Sequence, residues 1–350
     1  MTTVLIGLFR HQAKPGPMAL AMMHAAKMQN AEAVLFSPEG VDLLNGRIMG
    51  QGFTGTKWVQ VETRLPDVID NDDIVFESGR IWTELTRTIP FTTYRLGGKA
   101  EVVKRMAQAN FRLDLQIPTE HVSSLQQFKT FVNTHRRAVV KPARGSGGKG
   151  IVFVTKLENG YEVNLGHGAI SFSDLDMAKL FDTVISQRDH VVQAFITSQT
   201  KTGAPFDIRL HVRRDSMAQW RVVRIYARVG TGLGLTSNIG LGGAFANSKN
   251  FISNQFGDKA NEILKTLRDL ARNLPNQFQD LYPDRMIDAL GFDLGIDQDG
   301  QPWLFEVNSY PGSQMFTLED SIVRTEFALY LARQRVAGIK PDTGLTELTS

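Results

Sequence analysis

Residues 139–154 read VVKPARGSGGKGIVFV, a glycine-rich run between two stretches of β-branched and aromatic residues. Gly145, Gly147 and Gly150 spell GxGxxG, the spacing of a dinucleotide-binding turn. That turn works where the glycines follow a strand and open a helix, because pyrophosphate rests on the helix N-terminus. Here the glycines lead into Ile151 to Thr155, which reads as a strand. A Walker A loop fails too: Gly148-Lys149 is followed by Gly150, not Ser or Thr, and position 143 is alanine. What remains is a glycine loop at a hairpin tip, with Lys141 closing the incoming strand. In that position the ammonium reaches α- and β-phosphates while backbone amides from Gly145 to Gly148 wrap the distal ones. Taken alone, Lys141 would be a surface lysine.

N-terminal to this hairpin, Val4 to Leu8 reads as a strand and Met18 to Met28 as a helix behind Pro15 and Pro17. Ala33 to Phe36 is a second strand, so the opening is β-α-β and argues for a small parallel α/β domain. A hairpin is expected over 47–62 and a short strand over 73–77, with a boundary at the paired Gly97-Gly98. Beyond it the pattern becomes mixed β and α. Strands are expected at 138–141, 150–155, 191–196, 208–213, 221–229, 287–295 and 303–307, with helices at 99–110, 258–272 and 319–335. The first of these helices carries Lys104, which by itself reads as a solvated-face residue.

The last two strands flank a turn at Asp299-Gly300, a strong hairpin signal. In GFDLGID and LFEVN a polar residue interrupts each apolar run, and Glu306 and Asn308 share parity along their strand. Asp293, Glu306 and Asn308 are hard oxygen donors of the kind that hold Mg²⁺ with nucleotide phosphates. The spacing alone leaves open whether they bind metal or pair with arginine, but an acid inside an apolar strand needs a partner. Asp297 and Asp299 read as turn residues. Asp207 and Arg209 fall on one face of a strand, Arg224 and Arg228 follow, and arginine suits a planar anion. Val191 to Ile196 is an apolar strand with one amide, Gln193, and reads equally as core or as a main-chain contact for an adenine edge.

Length and composition set outer limits. A chain of 350 residues is ample for two or three lobes, with 42% hydrophobic and 21% charged residues. A net charge of +3 (39 basic minus 36 acidic residues) argues against nucleic acid, as does the lack of any basic stretch interleaved with aromatics. Cysteine is absent, which excludes disulfides and thiolate chemistry and fits a reducing compartment. The first residues read as a strand instead of a signal peptide, and no apolar run approaches the roughly 18 residues of a membrane span. A cytoplasmic protein without membrane association is expected.

Read in order, the helix with Lys104, VVKPARGSGGKG, VVQAFI, FDIRLHV, RVG with SNIGLGG, GFDLGID and LFEVNSYPG resemble the ATP-grasp superfamily. EVNSYPG resembles the end of the site in glutamate ligases that extend protein tails. Over nearly the whole chain the likeness is to the YheC/YheD-type endospore coat-associated branch. The resemblance implies an α/β (α+β) chain with the ATP-grasp fold. A Rossmann-like pre-ATP-grasp domain would occupy 1–97, a lid-bearing lobe 98–197, a metal-bearing lobe 198–338 and a tail 339–350, with ATP sandwiched between the two lobes.

It further implies ATP phosphates on Lys104 and Lys141, with Lys99 as the alternative register, under a lid at Gly145, Ser146, Gly147 and Gly148. Adenine would lie against Gln193, Ala194, Phe195 and Ile196, although relatives often carry an acid where this chain has Ala194. Mg²⁺ would sit on Asp293, Glu306 and Asn308, with Arg209, Arg228 and Asn238 as catalytic residues. The implied activity is ATP-dependent ligation of a carboxylate to an amine through an acyl phosphate, in a spore-forming context. The alternative is an ATP-binding spore-coat protein without turnover. Acyl donor and amine acceptor are unspecified small molecules or peptides, and similar ligases are commonly homodimers.

Overall fold

A computed structural model describes residues 3–71, 79–94, 96–142, 151–165, 168–187, 189–230 and 243–336. Three sheets follow one another along the chain. The first is built on the expected β-α-β unit: β1 (Leu5–Phe9), α1 (Pro17–Met28) and β2 (Glu32–Phe36), with β1 and β2 parallel. Proline at the start of α1 presets the backbone dihedral and gives up an amide that would have no helical partner. Every residue of β1 is buried, as a parallel strand covered on both faces requires. Ile6 and Leu8 pack towards α1 while Leu5 and Phe9 join a second cluster with Phe36, Leu85 and Phe91.

Outside β2 lies the expected hairpin, β3 (Val41–Asp42) and β4 (Arg47–Phe53) with β5 (Trp58–Arg64). On the other flank β6 (Val68–Asn71) runs parallel to β1, a strand the patterning does not predict because Asp70 and Asn71 are polar. The strand expected over 73–77 lies outside the described residues. Helix α2 (Arg80–Thr88) ends this part.

After α3 (Lys99–Gln108), the second sheet is antiparallel, in the order β11-β10-β9-β8-β12-β7. Its strands are β7 (Thr119–His121), β8 (Arg137–Pro142), β9 (Val152–Lys156), β10 (Tyr161–Asn164), β11 (Ala169–Phe172) and β12 (His190–Ala194). β8 and β9 pair from Arg137↔Thr155 to Val140↔Val152, so the glycine run joins two strands of a hairpin as its sequence demands. Ala138, Val140, Val152, Val154 and Val192 bury one face against α4 (Leu125–His135) and α5 (Asp174–Leu180). Both helices start at a serine whose hydroxyl caps a backbone amide, Ser124 on Gln127 and Ser173 on Asp176.

The third sheet has the order β15-β14-β13-β16-β17 and is antiparallel. It comprises β13 (Phe206–Arg214), β14 (Trp220–Val229), β15 (Ala244–Asn247), β16 (Ala289–Ile296) and β17 (Pro302–Asn308). Its apolar face packs on α7 (Ala260–Gln279), which follows α6 (Ser248–Phe256). The last helix, α8 (Thr317–Val336), joins the first core: Phe327, Ala328 and Leu331 cluster with Ile6, Leu8 and Met22. The second and third sheets meet at β17, where Trp303 packs on the second core and the Leu304 amide bonds the Leu115 carbonyl at 2.8 Å. No described helix is long and apolar enough to cross a membrane.

Candidate functional site

Directly opposed residues of antiparallel strands project from the same face. Asp207 opposes Arg228, Arg209 opposes Asp293, and Asp293 opposes Glu306. Gly291, one alternation along from Asp293, opposes Asn308. The register therefore gathers Asp207, Arg209, Arg228, Asp293, Glu306 and Asn308 on one face of the third sheet. The other face is apolar, with Phe206, Ile208, Phe292 and Leu294 against α7.

Asp293 is the focus of this face and only 4% exposed. Arg209 grips it with two donors, Nε to Oδ1 and Nη2 to Oδ2, the second at 2.8 Å. Arg228 Nη2 reaches the same Oδ2 at 2.8 Å, and Asn308 Nδ2 donates to it at 3.0 Å. Arg228 also donates from Nε to Asp207 Oδ1 at 2.6 Å. Burial works against the Arg228 guanidinium, but the carboxylates of Asp293 and Asp207 outweigh it and hold its pKa above the ordinary arginine value. Two arginines thus balance two aspartates in a buried patch with little net charge. Gly291 makes the packing feasible: a Cβ there would stand 2.9 Å from Pro311 Cβ and 3.0 Å from Arg209 Cδ.

Among the described residues no group of three or more His, Cys, Asp or Glu side chains is placed to hold a metal unaided. The donor set here is two carboxylates and an amide, which fits Mg²⁺, a cation that takes one or two protein carboxylates and completes its shell with phosphate and water. Glu306 and Asn308 are partly exposed on the face, whereas Asp293 is already bonded on both oxygens.

The second sheet carries the other group of candidates. One of its faces is core. The other is half-buried and bears Val139, Lys141, Phe153, Val191 and Gln193. Lys141 Nζ donates to Gln193 Oε1 at 2.9 Å, and Gln193 Nε2 to Thr119 Oγ1 at 2.8 Å. Next to them Phe195 meets Phe153 edge-on at 6.0 Å and lies under the Arg137 guanidinium at 4.2 Å. Ala194 is 8% exposed and its methyl belongs to the core. The amides of Ala194 and Phe195 are spent on the Pro118 and Arg137 carbonyls, so a purine edge there would meet other main-chain groups of the segment.

Lys104 is exposed on α3, whose Val102 and Met106 pack on the third core. Among the described residues, it makes no hydrogen bond or ion pair to the other candidates. Gly145, Ser146, Gly147, Gly148 and Asn238 lie outside the described residues. The side chain of Lys99 does as well.

Adjoining the site, on the continuation of the same sheet face, runs a buried ionic chain absent from the sequence-derived candidates. Arg10 bonds Asp70 at 2.6 Å, Asp70 pairs with Arg324, and Arg324 donates to the Tyr310 hydroxyl at 3.2 Å, just past Asn308. Alongside, Asp320 accepts from His211 Nε2 at 2.8 Å and from Arg213, which also reaches Asp288 at 3.1 Å. Burial raises the Asp70 carboxyl, yet Arg324 and Arg10 override it and the pKa falls below the ordinary range. Burial prevails at Asp288, whose pKa is raised. Charged residues on strands and a helix of mixed pattern were the only signal in the sequence, and it does not say who pairs with whom.

A family model described as YheC/D like ATP-grasp matches residues 88–332. In Bacillus subtilis (strain 168), the endospore coat-associated protein YheD is 25% identical over 234 residues, 62% of this chain and 51% of YheD. Endospore coat-associated protein YheC is 22% identical over 267 residues, 73% of this chain and 73% of YheC. The chain spans about half the length of YheD. Among solved structures, D-alanyl-alanine synthetase A from Vibrio cholerae O1 biovar eltor is similar with a TM-score of 0.50 at 12% identity, covering 97% of this chain and 99% of that one. The likeness to that enzyme is one of fold.

Proposed function

The chain belongs to the YheC/D like ATP-grasp family, and on that premise we propose that it is an ATP-dependent ligase joining a carboxylate to an amine with release of ADP and phosphate. The observation that carries the proposal is the single polar face on which Asp293, Glu306, Asn308, Arg209 and Arg228 meet. A sheet face that buries balanced charge beside hard oxygen donors is suited to a phosphoanion and its cation.

In the proposed reaction a carboxylate oxygen attacks the γ-phosphorus of ATP. The new oxygen–phosphorus bond forms as the bridge to the β-phosphate breaks, leaving ADP and an acyl phosphate. An amine then attacks the acyl carbon, loses a proton, and phosphate departs, so that an amide results. The protein's share is positioning and charge neutralisation. Lys141, braced by Gln193, would hold phosphate from the second sheet, and Arg209 and Arg228 would face the reacting anion from the third. Glu306 and Asn308, with Asp293, would hold Mg²⁺, which supplies neutralisation of phosphate oxygens. Phe195 and Phe153 offer an apolar seat beside Gln193 for a purine.

The test is an ADP-release screen of the purified protein with paired carboxylates and amines, with products weighed by mass spectrometry. A product equal in mass to the two substrates less water, formed with one ADP, is the expected result. The name of the Bacillus relatives favours a second reading, an ATP-binding coat component without turnover. Mg²⁺-dependent ATP binding with no ADP release across the panel would select it, and absence of ATP binding would sink both.

A further inference from the structure

The four charges on the third sheet do not hold each other equally. Arg209 and Asp293 form a self-contained pair, two donors on two oxygens across neighbouring strands. Arg228 and Asp207 form a second pair, also directly opposed. The bond from Arg228 Nη2 to Asp293 is additional to both and joins strands that are not neighbours, since β13 lies between β14 and β16. Two strand spacings amount to about 10 Å, so the Arg228 side chain must lie flat over β13 to make it. Asp207, on β13 and 2% exposed, takes Nε midway and holds the side chain down. An incoming anionic oxygen can replace Asp293 at Nη2 without unpairing any charge, because Asp293 retains Arg209 and Arg228 retains Asp207.

Resting on the ATP-site reading above, we infer that Asp207 is a positioning residue. It anchors Arg228 by Nε so that the outer edge of the guanidinium is delivered to the phosphoryl group in flight. Asp207 touches neither substrate nor cation. It acts through the planar fork of Arg228, which is why a lysine at 228 cannot substitute: lysine has charge but no Nε and no plane.

A transition-state mimic tests this without knowing the acyl donor. Mg-ADP, then Mg-ADP with aluminium fluoride, is titrated calorimetrically into the wild type, Asp207→Asn and Arg228→Lys, with a thermal melt of each. A planar fluoride mimic should tighten wild-type Mg-ADP binding by about tenfold or more, as groups complementary to a transition state do. Asp207→Asn should keep its Mg-ADP Kd within about threefold and lose the tightening, a loss of roughly 1.4 kcal/mol for each factor of ten. Arg228→Lys should also lose the tightening, whatever its Mg-ADP Kd, and carries the test of the planar fork if Asp207→Asn does not fold. Tightening retained in either variant overturns the inference, as does a wild type that binds Mg-ADP with no tightening. Equal loss of Mg-ADP binding in a folded Asp207→Asn protein also overturns it, by giving Asp207 a role in the nucleotide site at large. A wild type that binds no Mg-ADP refutes the ATP-site reading, and the inference falls with it.

Discussion

Asp293 receives four donated hydrogen bonds on two oxygens, and its neighbour across the ladder, Glu306, stands partly exposed beside it. In the proposed site both acids would serve the cation, Asp293 while also holding the arginines in place. Glu306→Gln keeps the shape and removes the charge. ATP turnover with any accepted substrate pair should fall by roughly a hundredfold or more, about 2.7 kcal/mol of barrier. Near-wild-type turnover would remove Glu306 from the cation site. Gly291 is constrained by what lies above it. Gly291→Ala sets a methyl against Pro311 and the Arg209 side chain, and overpacking of this kind costs about 1–3 kcal/mol. Chemical denaturation should register that loss, and an unchanged midpoint would mean that Arg209 has room to move. That acids here needed partners was legible from their apolar surroundings. The partner of Asp293 was not, since Arg209 lies 84 positions away along the chain.

Strand β17 contains a parity conflict that its sequence does not resolve. Leu304, Glu306 and Asn308 alternate evenly, so a regular strand would send all three to the same side. Instead Leu294 pairs with Leu304 while Asp293 pairs with Glu306, leaving Phe305 as the extra residue of a bulge. Leu304 thereby stays in the core while Glu306 and Asn308 turn to the Asp293 face. The Phe305 ring folds over Gly295, where any Cβ would run into it. Gly295→Ala is expected to lower stability by about 1–3 kcal/mol and to weaken Mg-ADP binding in parallel, with Phe305→Ala in the same chain restoring both. If stability falls and nucleotide affinity does not, the bulge does not set the Glu306 register. The flanking hairpin itself was announced by Asp299-Gly300, and the β8–β9 hairpin by the glycines it carries.

The first and third sheets are tied together by α8, which contributes apolar residues to the first core, Val323 to a cluster with Val223 and Tyr226 of β14, and Asp320 and Arg324 to the ionic chain next to the site. Arg324→Met leaves the fully buried Asp70 with Arg10 as its remaining guanidinium partner. Breaking one side of such a pair costs about 3–5 kcal/mol, read from urea denaturation. A loss under about 1 kcal/mol would mean that solvent or Arg10 compensates. The same chain sets an acid dependence. Burial pushes up the Asp320 carboxyl, but Arg213 and His211 hold it well below the ordinary range. Its stabilisation, like that of Asp70, is complete above the unfolded pKa of about 3.9 and lost as pH falls through the folded value.

His211 titrates earlier. Burial depresses its pKa, against the pull of Asp320 and with the push of Arg213 and Arg209. The unfolded chain thus takes up that proton first, and stability drops as pH falls through about 6.5. Between about pH 7.5 and 5.5 the melting temperature of His211→Gln should decline less than that of the wild type, and equal declines would exclude His211 as the cause.

Local order was readable because it depends on neighbours in sequence. The strand that follows the glycines, with Ala143 and Gly150, excluded two phosphate loops, alternation marked the strands, and polar interruptions in apolar runs marked Asp293, Glu306 and Asn308 as residues with partners. Pairings across the fold were not readable, because an ion pair or a strand register is settled by which surfaces meet, and many sequence separations satisfy the same residue types. So it was folding that placed Arg228 over Asp207, inserted a bulge at Phe305, and brought the last helix back to the first sheet. Each of these buries charge or apolar area that has no local partner, and long-range packing alone supplies one.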